Sequence, residues 1–164
     1  MFIKLDLDYL LHLLLNIKIL NIMQVFITSC SPIETARALD KKRLNKQVIE
    51  CRQILNAIFG KTRAWANHPC TIQYHKHKQW LYEYLQCLEQ FIKGNTEVAQ
   101  LYSDIAQKIR PDFHTDDYLS QMKRRLYTKD NNHYSQWSYL GESYTNWYFV
   151  NGVWKKYVNG KQLK

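Results

Sequence analysis

The sequence predicts a mainly α, compact single-domain fold of about four helices, with a short extended segment ahead of them and a C-terminal β-hairpin. Three observations carry this expectation. The 164 residues include only 5 Gly and 3 Pro, too few for the turns of a many-stranded sandwich. Apolar residues make up 46%, enough to bury a core and to exclude wholesale disorder. Between Ser31 and Tyr127, apolar residues recur at three- and four-residue steps, in runs opened by capping residues and closed by Gly or Pro. The expected division is an N-terminal extension over 1–22, a helical domain over 23–145, and a hairpin and tail over 146–164.

Residues 1–22 are rich in Leu and Ile, but Lys4, Asp6, Asp8, His12 and Lys18 interrupt them. The apolar runs are too short to span a bilayer. An acidic start without a small-residue cleavage site does not fit a secretion signal. The expectation is that translation starts at Met23 and that the first 22 residues are not native; the other reading is an amphipathic helix. Gln24 to Thr28 is strand-like.

Ser31-Pro32-Ile33-Glu34 reads as a capping box with Pro at the first helical position. The helix it opens runs to about Phe59 and stops at Gly60, with Leu44, Val48, Cys51, Leu55 and Ile58 as its buried stripe and room for a break near Asp40. Asn67-His68-Pro69 starts a second helix, with Leu81, Leu85, Leu88 and Ile92 inward and Gly94 as its stop. A third covers about Thr96 to Ile109, with Val98, Leu101, Ile105 and Ile109 inward. Thr115 caps a fourth, to about Tyr127, with Leu119, Met122 and Leu126 inward. From Lys129 onward helical spacing is lost. Trp147 to Val150, Asn151-Gly152 and Val153-Trp154 form a hairpin signal, a second Asn-Gly lies at 159–160, and Lys161 to Lys164 reads as a frayed tail.

Twenty-three Lys and Arg stand against 14 acids, a net charge of +9. The excess is blockwise. Residues 32–63 hold eight bases and three acids, and residues 123–164 hold eight bases and two acids; the middle, 64–122, holds five bases and seven acids. Two basic blocks fit a polyanion such as duplex DNA better than a small neutral substrate. A generic solubilising surface is the competing explanation. Cys30, Cys51, Cys70 and Cys87 contain no C-x-x-C pair and read as reduced, mostly buried thiols. His75 and His77 would point to different helix faces, and neither a metal nor a cofactor is expected.

Three constellations could carry chemistry. On a helix, Asp40, Arg43, Gln47 and Glu50 form one ridge beside the apolar stripe, where water is scarce and a carboxylate is tunable. Lys42 and Lys46 project further out and suit phosphate contacts. A structural ion-pair ridge explains the same spacing. Trp65, Asn67 and His68 precede a helix start, where a His caps more often than it catalyses. Finally Lys123 and Arg124, followed by Tyr134 and Trp137, interleave bases with aromatics, which suits phosphate contact and base stacking; some of these rings must also pack under a loop.

Met23-Gln-Val-Phe-Ile-Thr, the segment Ser31 to Glu50 with its L-D-x-K-R-L-x-K-Q-x-x-E pattern, and Asn67-His68-Pro69-Cys70 resemble the pyrimidine-dimer DNA glycosylase family, especially its small bacterial and phage relatives. Lys129-Asp130 followed by His133-Tyr134 is similar to the family's K-D-P-x-x-Y segment, with Asn131 where the family has Pro. The resemblance spans about 23–135. It implies a cytoplasmic repair enzyme, nucleoid-associated or in a phage-infected host, acting as a monomer on ultraviolet-damaged duplex DNA without cofactor or membrane. It implies that an amine attacks C1′, an imine forms and β-elimination nicks the strand. The amine would be the α-amine of Met23, or that of Lys46 or Lys42. Asp40 or Glu50 would handle protons. Lys42, Arg43, Gln47, Asn67, His68, Lys123 and Arg124 would contact DNA, and Trp65, Tyr134 or Trp137 would wedge into the stack. A non-catalytic DNA-binding relative and a hydrolytic glycosylase on a modified base are the alternatives.

Overall fold

The computed structural model describes residues 23–141, together with strand backbone at 145–150, 153–158 and 161–162. Six α-helices appear among the described residues: α1 (Pro32–Ala38), α2 (Lys41–Ile58), α3 (Pro69–Tyr74), α4 (Lys78–Ile92), α5 (Thr96–Lys108) and α6 (Asp116–Lys129). Short 3-10 turns occupy His75–His77 and Ser135–Leu140.

The mainly α expectation holds, but the count of about four helices does not. Two of the expected helices break. The first divides at Leu39 and Asp40, both extended, with Asp40 Oδ1 accepting from the Arg43 amide at 3.0 Å to cap α2. The second tightens into the His75–His77 turn between α3 and α4. The C-terminal element is also corrected. In place of a two-stranded hairpin with a frayed tail there is a three-stranded antiparallel meander, in which Lys161–Gln162 pairs back on Val153–Val158, itself paired with Thr145–Val150. Lys161 and Gln162 therefore find backbone partners. The extension over 1–22 and the turn residues Asn151-Gly152 and Asn159-Gly160 lie outside the described residues.

The run Met23 to Thr28 is buried throughout, yet it joins no sheet. Side chains satisfy its backbone instead. Tyr84 Oη donates to the Phe26 carbonyl at 2.8 Å, and the Thr28 amide donates to Thr35 Oγ1 at 3.1 Å. The capping box at Ser31 does not form: its hydroxyl lies 3.1 Å from Ser103 Oγ, and Glu34 pairs with Arg37.

Helix α5 is turned over relative to expectation. Ala99, Ser103 and Ala106 face inward, while Val98, Leu101, Ile105 and Ile109 are exposed, Leu101 by 63%. The small side chains let α5 approach α1 and α4 closely, and Ser103 Oγ accepts from the Ile33 amide at 3.2 Å. Ile92, expected inward at the end of α4, is likewise exposed. All four cysteines are free thiols, three of them buried.

The core is unusually aromatic. Tyr74 stacks on Trp80 at 5.6 Å and Trp80 on Tyr84 at 5.0 Å. His114 sits among them, 2% exposed, with Nε2 3.0 Å from Tyr74 Oη. Burial first, then the charges of His77 and Arg110, holds its pKa down at about 3.

A neutral core histidine makes the fold acid-sensitive. The unfolded chain binds a proton near the ordinary histidine pKa of about 6.5 and the folded chain does not. Stability is therefore complete above that pH and declines as pH falls toward 3, by up to about 1.4 kcal/mol per unit. His68 and His77, whose pKa values burial also lowers, act in the same direction. Urea denaturation across pH 7.5 to 4 is expected to show this decline, and His114→Gln to flatten it. A wild-type stability level between pH 6.5 and 5 would contradict the assignment.

Candidate active site

Helix α2 carries two carboxylates with opposite surroundings. Asp40, at its N-cap, is fully engaged. Tyr134 Oη donates to Asp40 Oδ2 at 2.6 Å, and Arg43 Nη1 reaches the same oxygen at 2.5 Å. Arg43 also lies 3.6 Å from Asp130 Oδ2, with its guanidinium 5.3 Å from the centre of the Tyr134 ring. Burial alone would raise the Asp40 pKa, but the bonds from Tyr134 and Arg43 outweigh it and hold the carboxyl at about 2. This cluster joins α2 to the end of α6. It is a joint, with a carboxylate too acidic to shuttle protons near neutrality.

Glu50 lies nearly three turns further along and is 5% exposed. Its Oε2 accepts from Gln47 Nε2 at 2.9 Å, and its Oε1 lies 3.4 Å from Lys46 Nζ. Burial pushes its pKa up, and the nearby charge of Lys46 offsets only part of this. Glu50 thus has the tunable carboxyl that the ridge as a whole was expected to supply.

Gln47 organises this region. Its Oε1 accepts from the Phe26 amide at 2.8 Å, and its Nε2 donates to the Gln24 carbonyl at 2.7 Å as well as to Glu50. One side-chain amide replaces a neighbouring strand for residues 24–26 and fixes Met23 beside Glu50.

A cavity of ≈ 280 Å³ opens there, lined by Met23, Lys46, Ile49, Glu50, Gln53 and Trp65. It brings together three of the four residues expected to be catalytic and one of the expected stacking residues. Asp40 is excluded from it. Trp65 is held edge-on to His68, with ring centres 5.3 Å apart. His68 caps α3 through Nδ1, which accepts from the Cys70 amide at 3.1 Å, and burial lowers its pKa. This places Nδ1 as the acceptor nitrogen.

The remaining expected contacts divide. Lys42 and Asn67 are exposed, and Lys123 and Arg124 are half-buried on α6. Gln47 is 1% exposed and Tyr134 is fully buried, while Trp137 is buried and stacks on Tyr134 at 5.2 Å. These three are buried in the fold, and Arg43 is paired with Asp40. Sequence reasoning missed Ile49, Gln53 and Lys129. Burial and the charges of Arg125, Lys46 and Arg43 lower the Lys129 pKa, and Glu50 opposes them. In sequence the K-D pair stands out only as part of a segment similar to one in a known family, although its lysine belongs to the same electrostatic neighbourhood.

Among the described residues, no helix is long and apolar enough to cross a membrane, and no three His, Cys, Asp or Glu side chains cluster as metal ligands.

Gln47→Leu removes three hydrogen bonds and strands the Phe26 N–H and the Gln24 carbonyl. Each buried orphan costs roughly 1–3 kcal/mol, so a loss of about 3 kcal/mol is expected in urea denaturation. A loss below about 1 kcal/mol would show that the segment is held by other contacts.

No curated protein and no solved structure matches the chain. The model of one family, pyrimidine dimer DNA glycosylase, matches residues 23–90, a stretch that contains every residue lining the cavity. Over that segment, less than half of the chain, the sequence is similar to the pyrimidine dimer DNA glycosylase family.

Proposed function

We propose that the protein releases a damaged pyrimidine from duplex DNA and then nicks the strand, through a covalent imine formed in the Met23–Lys46–Glu50–Trp65 cavity. The carrying observation is that amine-bearing residues and a buried carboxyl of raised pKa share one cavity, all of it within the segment similar to this family. The basic charge of the flanking segments supports a DNA substrate.

The chemistry balances on these groups. An unprotonated amine attacks C1′, forming a C–N bond as the glycosidic bond breaks. The departing base takes the electron pair and a proton. The sugar ring then opens: the amine nitrogen loses a proton, the C1′–O4′ bond breaks, and O4′ takes the electron pair and a proton as the C1′=N imine forms. Removal of a C2′ proton then expels the 3′-phosphate by β-elimination, and water releases the amine. Glu50 is the proton carrier, because burial brings its carboxyl toward the range where both forms are accessible. Lys46 is the cavity's side-chain amine, 3.4 Å from the Glu50 carboxylate. In a chain beginning at Met23, the α-amine would join it, with an ordinary pKa of about 8. Lys42, Asn67, Lys123 and Arg124 are the candidate backbone contacts.

Sodium borohydride in the presence of abasic duplex is expected to trap a covalent adduct. The trapped peptide distinguishes Lys46 from Met23 when the full chain and a chain starting at Met23 are compared. Glu50→Gln should lower base release and trapping by about 100-fold or more, while Asp40→Asn should lower stability and leave trapping within about threefold. Salt-sensitive binding with no adduct in either chain would leave a non-catalytic binding protein. Base release without an adduct would point to hydrolysis.

A further inference from the structure

Helix α5 carries apolar side chains on the face that it does not bury. Val98, Leu101, Ile105 and Ile109 follow one another at three- and four-residue steps, the spacing of a packed helix seam. All four are exposed, by 40% to 63%. Scattered surface hydrophobics need no explanation, but an unbroken stripe along a whole helix marks a contact surface. The opposite face, Ala99, Ser103 and Ala106, already holds α5 against α1 and α4, so the packing of one chain leaves the stripe outside. One edge of the stripe is charged. At about 100° per residue, Glu97 in the first turn and Lys108 in the last fall on the same side, next to Leu101, and both are exposed. Asp104 lies further round and is drawn away from the stripe by Gln100, whose Nε2 donates to Asp104 Oδ1 at 2.8 Å.

We propose that this stripe is a two-fold interface with a second copy of the chain, the two α5 helices packing antiparallel, in place of the monomer that the family resemblance implies. The charges select the direction. A two-fold axis across the helices sets Leu101 opposite the second copy's Ile105 and brings Glu97 beside the second copy's Lys108, twice per dimer. Parallel packing would set each charge level with its own copy and leave neither with an opposite partner. Antiparallel helices also oppose their dipoles. A helix of 13 residues is about 20 Å long, so the pair buries on the order of 1,000 Å² in total, the size of weak, reversible contacts. The expected dimer is half formed at about 10–100 μM. No residue of α5 lines the Met23–Lys46–Glu50–Trp65 cavity, so the pairing consumes neither cavity and is independent of the glycosylase chemistry.

Sedimentation equilibrium of the full chain and of a chain starting at Met23, at about 5 to 200 μM protein and about 0.15 M salt, measures the association. Both chains are expected to dimerise. Leu101→Lys should raise the dissociation constant by at least about 30-fold at an unchanged melting temperature, since that side chain lies largely outside the fold. Glu97→Lys and Lys108→Glu, each alone, should raise it about 3- to 30-fold. Mixing those two variants should restore association, because each then meets the opposite charge on the other. Monomers in both chains throughout this range, a dimer indifferent to Leu101→Lys, or single charge variants that associate like wild type would each overturn the interface. A dimer only in the chain starting at Met23 would assign the stripe to residues 1–22 of the full chain and overturn the second copy as its occupant.

Discussion

The side-chain amide of Gln47 is the contact on which the rest of the site depends. Residues 23–28 form a buried extended segment with no neighbouring strand among the described residues. Buried backbone amides must find partners, and Gln47 supplies both an acceptor for Phe26 and a donor for Gln24. The same nitrogen donates to Glu50. Met23 is therefore brought to the carboxyl by the group that holds that carboxyl in place. The register between the N-terminal segment and helix α2 is fixed by one residue whose every hydrogen-bonding role is dictated by its partners.

Helix α2 then separates two carboxylates that look alike in sequence. Ten residues put Asp40 and Glu50 on the same ridge, but tertiary neighbours divide them. Tyr134 and Arg43 surround Asp40 and lock it in the ionised form. Glu50 receives the half-exposed Lys46 ammonium, a backbone hydrogen bond from Gln24, the Gln47 amide and the more distant charge of Lys129, together too little to offset its burial. The first arrangement makes a structural joint and the second a group ready to exchange protons. Both ion pairs that the competing structural explanation of the ridge requires are present, Asp40 with Arg43 and Glu50 with Lys46; deeper burial is what sets Glu50 apart.

Local signals were legible where they act locally. Asp40, His68 and Thr115 are capping residues whose side chains bond to amides two or three positions ahead; His68 and Thr115 start helices near where sequence places them, and Asp40 starts one where sequence leaves room for a break. The stripe of α2 and the inward faces of α4 and α6 follow from spacing. Helix α5 was misread because periodicity reveals two faces without saying which is covered; the small face of Ala99, Ser103 and Ala106 won because it allows closer packing. Gln47 read as a surface contact because its partners lie more than 20 residues upstream. The choice between Asp40 and Glu50 stayed open because the deciding hydroxyl, Tyr134, is 94 residues from Asp40. The positive φ of Trp65, +67°, has no sequence signal, since a tryptophan is among the last residues expected there.

The central physical claim is that their surroundings shift the Glu50 and Asp40 carboxyls in opposite directions on one helix. A carbon-13 NMR titration of the labelled side-chain carboxyls measures this directly. Glu50 should titrate above the ordinary glutamate range, and higher still in Lys46→Met, while Asp40 should remain ionised down to about pH 2. A Glu50 carboxyl titrating at or below its ordinary value would mean that the cavity is too wet to tune it, and would contradict its assignment as the reactive group.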